Sequence, residues 1–315
     1  MVSGLRYGAG GETRSSKPLD VITVGDVITD YTVDLTDVPD QKVEDWKARD
    51  WFPGPGESVK VGEVDIGERY IENARPGGRS ANYAAAASRA GGNARLLGRT
   101  TGETELTENL EYDVEILPDE ICETYIFVEK GENRISCVKS RDLVDPEYIS
   151  SIEEETLSSA KYLLISNGES GETLETLFSR LEEMKGSPEV IFDPAPAEGS
   201  SKFLDYDCIS YLTPNEHEYR QIEGLEKFAG DVIKTTSEGA WINEENKIES
   251  PKVYPADTTG AGDTFNGYMA VELSRGKTLE EAVETAGHAA SLSVMKEGAQ
   301  RSIPDFETVE WLLGE

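Results

Sequence analysis

Apolar positions in the second half of the chain follow two alternating patterns. Short apolar runs indicate buried strands, whereas Leu174, Leu177 and Leu181 recur at helical spacing. Thr278 and Glu281 form a capping-box pair that predicts a later helix start. Strands that alternate with helices are typical of a mostly parallel sheet covered by helices. The predicted strands here are 162–166, 190–192, 208–212, 231–234 and 240–242, and the predicted helices are 174–184, 265–276, 278–296 and 306–313.

The first half of the chain has more strands and one alanine-rich helix. Segment 21–24 is apolar throughout, and segment 31–35 alternates apolar with polar residues, which predicts one buried and one half-exposed strand. Residues 80–90 predict a helix that stops at Gly91. Residues 37–57 have no periodicity and predict a loop or an irregular insertion. Further strands are predicted at 59–66, 94–97, 125–128 and 135–138, the last two as a hairpin around 131–133.

These patterns predict a single large domain with a smaller sheet inserted. The chain has 315 residues, of which 37% are hydrophobic, and this is enough to bury a sizeable core. Residues 1–17 are polar and glycine-rich and predict a disordered tail before a domain at 18–315. The early strands and the hairpin predict a small β lid from segments at about 31–75 and 112–141.

Acidic residues dominate the composition. The formal net charge is −32, from 62 Asp and Glu against 30 Lys and Arg. Such acidity excludes non-specific binding to nucleic acid or to an anionic membrane. Acidic side chains interleaved with apolar ones favour a folded, salt-adapted cytoplasmic protein over a disordered chain. Our hypothesis is therefore an origin in a halophile that accumulates salt.

Cysteine, histidine and apolar content limit the remaining classes. Cys122, Cys137 and Cys208 are widely spaced and form no CxxC pair, so free thiols in a reducing compartment are expected. The two histidines do not make a zinc pattern. No apolar run is long enough to span a bilayer.

The most informative motif runs through residues 257–265, DTTGAGDTF. It predicts a strand end, a turn of small residues and a helix that begins near Asp263. Backbone N–H groups of a glycine turn at a helix N-terminus bind anions. An acid beside such a turn is explained if Asp263 takes a proton from a hydroxyl while Gly260, Ala261 and Gly262 hold a phosphoryl group. The alternative from this motif alone is that Asp263 only caps the helix.

Four other segments extend this pattern in the same order along the chain. They are VGDVITD at 24–30, PGGRSANYAAAASRAG at 76–91, TPNEHE at 213–218 and GAQRSIP at 298–304. Together with DTTGAGDTF, these segments resemble the signatures of the ribokinase family, the PfkB-type carbohydrate kinases. The resemblance implies a three-layer α/β fold with a mostly parallel central sheet and a small β-sheet lid. It also implies ATP-dependent phosphorylation of a hydroxyl on a small sugar or sugar acid.

The resemblance assigns roles to particular residues. Asp263 is expected to be the general base, and Gly260, Ala261 and Gly262 the anion hole. The expected acceptor-binding residues are Asp30, Gly77, Gly78, Arg79 and Asn82. The expected ATP and Mg²⁺ residues are Asn215, Glu218, Lys234 and Gly239. A monovalent cation, K⁺, is expected at Asp257, Thr259 and Ser302, with Val294 and Ala299 nearby.

Arginines are concentrated around the 76–91 segment, although the chain is poor in basic residues. Arginine forks suit carboxylates and phosphates, so our hypothesis is an anionic acceptor, either a keto-sugar acid or a sugar phosphate. The alternative is that each arginine pairs with a surface acid. The residues concerned are Arg69, Arg75, Arg79, Arg89, Arg95 and Arg99, with Arg134, Lys139 and Arg141 from the hairpin.

Three alternatives to a sugar kinase stay open at this point. The acceptor could be a sugar phosphate or a nucleoside, since the ribokinase family includes such kinases. The protein could also be a non-catalytic sensor of sugars or nucleotides on the same fold, although an intact GAGD turn argues against it. A homodimer formed through the lid is a further expectation from the resemblance.

Overall fold

The structure, a computed structural model, describes residues 5–8, 18–54, 58–102, 110–129 and 132–314. The strands within these ranges are β1 Leu5–Gly8, β2 Leu19–Asp26, β3 Ile28–Asp34, β4 Ser58–Val61, β5 Asn73–Gly77, β6 Ala94–Thr100, β7 Glu111–Ile116, β8 Cys122–Glu129, β9 Glu132–Lys139, β10 Ala160–Ser166, β11 Glu189–Asp193, β12 Ile209–Leu212, β13 Asp231–Thr236, β14 Gly239–Ile242 and β15 Asn246–Glu249. The α-helices are α1 Asp40–Lys47, α2 Arg79–Arg89, α3 Pro146–Ser151, α4 Glu154–Leu157, α5 Gly171–Glu183, α6 Glu216–Tyr219, α7 Ala261–Ser274, α8 Leu279–Ser293 and α9 Phe306–Leu313.

The larger sheet has the order β1-β7-β6-β2-β10-β11-β12-β13-β14-β15. Its strands from β7 to β13 are parallel, and antiparallel strands flank them at both edges. Neighbouring residues of β2 and β10 alternate between two hydrophobic clusters, one on each face: Val21 and Leu164 in one, Ile22 and Leu163 in the other. Burial of both faces explains why these strands are apolar throughout.

Helices α2, α7 and α8 pack together with one face of this sheet. Alanines fill the contact surface of α2, and a Cβ atom on Gly267 of α7 would lie 2.4 Å from the Cβ of Ala86. Small residues therefore let α2 and α7 approach closely. This contact brings the N-terminal turns of the two helices side by side.

The smaller sheet is the lid, with the order β4-β9-β8-β3-β5. Strand β3 pairs in parallel with β8, and the hairpin β8–β9 is antiparallel. In β3, Asp30 faces the large sheet, so Val33 points to the opposite, outer face. That outer face packs against a cluster of aromatic rings, which we call the outer aromatic cluster: Trp46, Trp51, Phe52 and Phe127.

The ribokinase-like α/β fold and the lid confirm the predicted fold class. The predicted helices at 80–90 and 306–313, the hairpin and the capping box of Thr278 with Glu281 are also confirmed. The described part of the chain contains no helix with the length and apolarity needed to cross a membrane.

The structure differs from three expectations about organisation. Segment 37–57 is not purely irregular, because α1 lies within it and buries Val43 and Trp46 against the lid. The lid begins at Ile28, and its second segment begins at Cys122, because β7 belongs to the large sheet. Leu5–Gly8 pairs with β7 and is therefore not part of a disordered tail. The remainder of 1–17 lies outside the described residues.

Candidate active site

The carboxyl ends of the parallel strands bring several polar residues to one edge of the large sheet. Asp26 ends β2, Asp193 ends β11, Glu169 follows β10 and Asn215 follows β12. This edge is where open α/β sheets bind ligands. The N-termini of α2 and α7 and the inner face of the lid meet at the same edge.

The GAGD turn forms the N-terminus of α7. Gly260 is the N-cap residue with φ of 77°, a left-handed conformation that favours glycine. A Cβ on Gly260 would lie 2.8 Å from the Cβ of Ala299, so the C-terminal loop packs directly against the turn. A Cβ on Gly262 would meet nothing within 4 Å. The first-turn N–H groups of this 14-residue helix therefore border open space that an anion can enter.

Asp263 lies in the first turn of α7 and is only 7% exposed. Its Oδ2 accepts a hydrogen bond of 2.7 Å from Nδ2 of Asn82, and Oδ1 of Asn82 accepts one of 3.1 Å from Nε2 of Gln300. Burial raises the pKa of Asp263 to about 6, although the charge of Arg79 and the hydrogen bond from Asn82 oppose that rise. A carboxylate with this pKa is a competent base near neutral pH.

Asp30 reaches the site from the lid. Burial raises its pKa to about 7, a hydrogen bond with Thr124 lowers it, and the charge of Asp263 raises it further. The two carboxylates are therefore close enough to interact. A Cβ on Gly77 would lie 1.9 Å from Oδ2 of Asp30, and Gly78 has φ of 88°. The packing and backbone conformation of this turn therefore already require glycine at both positions. Their contact with an acceptor stays a prediction.

Arg79 is held by an acid that the sequence interpretation did not assign to the site. Its Nη1 lies 2.9 Å from Oδ2 of Asp193, which also accepts a hydrogen bond of 2.6 Å from the hydroxyl of Tyr83. Burial by itself lowers the pKa of Arg79, but the charge of Asp193 together with those of its other acidic neighbours raises the pKa above its usual value. An acid directly after the apolar run 190–192 was the available sequence signal for Asp193.

Asn215 and Glu218 form a capping box on α6. Oδ1 of Asn215 accepts from the N–H groups of His217 and Glu218, and Oε2 of Glu218 accepts from the N–H of Asn215 at 2.9 Å. Burial and the charge of Asp193 raise the pKa of Glu218, whereas the positive charge of Arg79 opposes this rise. The pair therefore reaches the same strand edge, and its role toward Mg²⁺ stays a prediction.

Lys234 and Gly239 belong to the β13–β14 hairpin. Nζ of Lys234 pairs with Glu244 and lies 4.9 Å from the ring centroid of Tyr219. Gly239 has φ of 130°, and a Cβ there would lie 2.1 Å from the carbonyl oxygen of Ile248. Hairpin packing accounts for both residues, so their assignment to ATP stays a prediction.

The residues expected to bind a monovalent cation come together in two adjoining loops. Oδ1 of Asp257 accepts from Thr259, and Oδ2 accepts from the N–H of Gly298 at 2.9 Å. The N–H groups of Ala256 and Asp257 donate to the carbonyl of Val294. Ser302 donates to the carbonyl of Ala299 at 3.2 Å. Carboxylate, carbonyl and hydroxyl oxygens are the donor types that a hard cation requires.

A second group of buried charges lies at the base of the lid, and we call it the hinge cluster: Asp26, Lys139 and Glu169. Asp26 accepts from Nζ of Lys139 at 2.9 Å and from the N–H of Val144 at 2.7 Å. Oε1 of Glu169 accepts from the N–H of Asp26 at 3.2 Å. Burial raises the pKa of Glu169 to about 8. Asp26 thereby connects the crossing from β2 to β3 with the segment that follows β9, which are two of the crossings between the large sheet and the lid.

The arginines do not converge on one acceptor site. Arg95 pairs with Glu111, and Arg99 pairs with Glu115 and Asp145. The remaining basic residues with clear partners are Arg69 on Tyr70, Lys139 with Asp26, and Arg141 with Glu120 and Asp145. The side chain of Arg134 lies outside the described residues. Most of these basic residues therefore bind the chain's own acids, as the alternative expected, and the anionic acceptor stays a hypothesis.

Fold, lid and the helix terminus at Asp263 define the class, a ribokinase-like small-molecule kinase. The profile of the pfkB family carbohydrate kinases matches residues 72–305. The ribokinase of Bacillus subtilis is 33% identical over 276 residues, which cover 81% of this chain and 92% of that protein. The chain belongs to the pfkB family of carbohydrate kinases, which confirms the expected family and enzyme class.

Solved structures agree with this family. Ribokinase from Thermotoga maritima superposes with a TM-score of 0.71 at 27% identity, covering 95% of this chain and 100% of that chain. Ribokinase from Arabidopsis thaliana, complexed with ribose and ATP, superposes with a TM-score of 0.65 at 20% identity, covering 95% and 99% of the two chains. The latter identity supports the shared fold.

Proposed function

We propose that the protein transfers the γ-phosphoryl group of ATP to a hydroxyl of a small neutral sugar. The observation that carries this proposal is the geometry of Asp263, a buried carboxylate at a helix N-terminus, oriented by Asn82 and facing Asp30 of the lid. The ribokinase relatives make ribose the first acceptor to test. A cytosolic location, where ATP is available, suits this reaction.

In the proposed mechanism, Asp30 and Asn82 hold the acceptor and Asp263 removes the proton from its reacting hydroxyl. The oxygen forms a bond to the γ-phosphorus while the bond to the β-phosphate oxygen breaks, so ADP leaves and the proton stays on Asp263. The N–H groups of Gly260, Ala261 and Gly262 stabilise the charge on the transferred group. Closure of the lid excludes water, which would otherwise hydrolyse ATP.

Two cations fit residues at the same edge. Asn215 and Glu218 offer oxygens that would hold Mg²⁺ directly or through water, and Mg²⁺ neutralises phosphate charge when it is bound. Asp257, Ser302 and neighbouring carbonyls would hold K⁺ beside the anion turn. A cation there offsets the negative field that this acidic chain presents to ATP.

A neutral acceptor fits the charges better than an acidic one. Asp263 is buried and Asp30 is half-buried beside it, and the carboxylate of each repels an additional negative charge. Arg79 is already paired with Asp193, so an anionic sugar would have to compete with that carboxylate. A sugar acid or a sugar phosphate is therefore the less favoured substrate.

The test is ADP release at high KCl with a panel of neutral sugars, sugar acids, sugar phosphates and nucleosides, with mass spectrometry of the product. We expect turnover of a neutral sugar and formation of its monophosphate. Binding of a sugar without turnover would instead support the sensor alternative. In a second arm, Arg79→Ala should change KM equally for neutral and charged acceptors; a selective loss for charged ones would restore the anionic substrate.

A further inference from the structure

We propose that Gln300 is a positioning residue for the base: it fixes the side-chain amide of Asn82 in the orientation that presents Nδ2 to Asp263. The inference rests on the proposed role of Asp263. Gln300 comes from the C-terminal loop, 218 positions away from Asn82 along the chain. None of the roles assigned to the site above includes it.

The chemistry of the amide groups fixes the direction of this chain of hydrogen bonds. An ionised carboxylate only accepts, so Asp263 requires the NH₂ end of Asn82. The carbonyl end of Asn82 then faces Gln300, whose NH₂ group donates at 3.1 Å. In the opposite orientation, the carbonyl oxygen of Asn82 would face Asp263, which is tolerable only when Asp263 is protonated. The orientation of Asn82 and the protonation of Asp263 are therefore linked.

The loop that carries Gln300 is anchored on the anion turn itself. The N–H of Gly298 donates to Asp257 at 2.9 Å, and Ser302 donates its N–H to the carbonyl of Gly298. The contact between Gly260 and Ala299 closes the same unit. Gln300 is thus held in fixed register with the helix that carries Asp263. This rigidity is what a positioning role requires.

Other charges around Asp263 come from separate elements and remain in place when Gln300 is changed. Arg79 and Tyr83 face Asp263 from α2, Asp193 faces it from the end of β11, and Asp30 faces it from β3. Loss of the Gln300 contact acts on Asp263 only through Asn82. The expected effect is a higher pKa for Asp263, because the hydrogen bond from Asn82 is one of the factors that lower it.

The experiment is the pH profile of kcat/KM for Gln300→Leu, with ATP and the sugar that turns over best in the panel. We expect the acid limb near pH 6 of the parent to move up by about one pH unit, which means about tenfold lower kcat/KM at pH 5 and nearly equal values at pH 8.5. Gln300→Met keeps an unbranched side chain and should give the same shift. Gln41→Leu makes the same chemical change on the exposed face of α1 and should leave the limb in place.

The outcomes distinguish the positioning role of Gln300 from the proposed role of Asp263 as the base. An equal loss of activity at all pH values, or an unmoved acid limb, in both Gln300 variants would overturn the positioning role. Adding Gln300→Leu to Asn82→Ala should move the limb no further, and an additive shift would show that Gln300 does not act through Asn82. If Asp263→Asn retained the parent's activity, the proposed base itself would be wrong, whatever Gln300 does.

Discussion

Two groups of acids lie close to Gly77 and Gly78, and the groups that bind their carboxylates differ in charge. In the hinge cluster, Asp26 is neutralised by an ammonium group and backbone N–H groups. At the proposed catalytic position, Asp263 receives a hydrogen bond from the neutral amide of Asn82 and shares the site with Asp30. Burial is common to both groups. The partners therefore distinguish a structural acid from a reactive one.

The difference also predicts opposite effects on stability. Removing a lysine from a buried ion pair leaves an uncompensated charge, which strongly opposes folding. An acid whose pKa is raised by burial destabilises the folded protein when it is ionised at neutral pH, so replacing it with a neutral residue should increase stability. Replacing Lys139 of the hinge cluster should therefore lower both stability and activity. A neutral substitution at Asp263 should lower activity but raise stability.

The largest expected effect is that of Asp263→Asn on activity. Loss of the base should lower kcat/KM by about 10²- to 10⁴-fold. Burial raises the pKa of Asp263 to about 6 in the folded protein. Its contribution to the stability of the folded protein is therefore fully present below about pH 4, where Asp263 is protonated, and this contribution is lost as the pH rises through 6. The variant should consequently be more stable at pH 8, by up to about 3 kcal/mol in urea unfolding. A loss of activity below tenfold would remove the catalytic half of the comparison.

Lys139→Met should have the next largest effect, this time on stability. It leaves the carboxylate of Asp26, which is 2% exposed, without its ammonium partner. We expect the free energy of unfolding to fall by about 3 to 5 kcal/mol in urea titrations. Lys247→Met removes an exposed pair with Glu238 and should change it by less than about 1 kcal/mol. Equal effects of the two lysines would show that the hinge cluster is not structural.

The smallest effect is expected for Glu169→Gln. Burial raises the pKa of Glu169 to about 8, so its stabilising protonated form is lost as pH rises through 8. The parent should lose about 1 to 2 kcal/mol of unfolding free energy between pH 7 and pH 9, and the variant should not. The readout is the difference in urea midpoint between these two pH values. Identical pH dependence of parent and variant would mean that Glu169 is ionised throughout.

The sequence was sufficient for elements with a clear local pattern. Short apolar runs and helical spacing predicted most strands and helices of the second half, and the Thr278–Glu281 capping box predicted the start of α8. Alanine content and the stop at Gly91 predicted the helix at 80–90. Helix α1 was missed because only Val43 and Trp46 mark its buried face, and two apolar residues do not establish a period. This helix is stabilised by packing against the lid, and its partners there are distant in the sequence, so the local pattern gives no sign of them.

Site residues divide in the same way. Asp263, Asn82 and Asp30 were predicted as site residues because they lie in motifs, and the structure brings them together. Asp193 and Gln300 were missed because their partners are distant: Arg79 is 114 positions from Asp193. In a chain with 62 acidic residues, one more Asp or Glu carries no signal until the fold shows its neighbours. The arginines misled for the same reason, since their spacing did not reveal the acids that bind them.

The outer aromatic cluster has a consequence for how the lid releases what it covers. Its rings pack on the face opposite Asp30, beneath α1, so they are sheltered whether the lid is near the large sheet or away from it. Opening of the lid would therefore expose the face that carries Asp30 and Thr124, and it would leave the outer aromatic cluster covered. In this strongly acidic chain, with a net charge of −32, such a movement would expose no large apolar patch through which copies of the protein could associate.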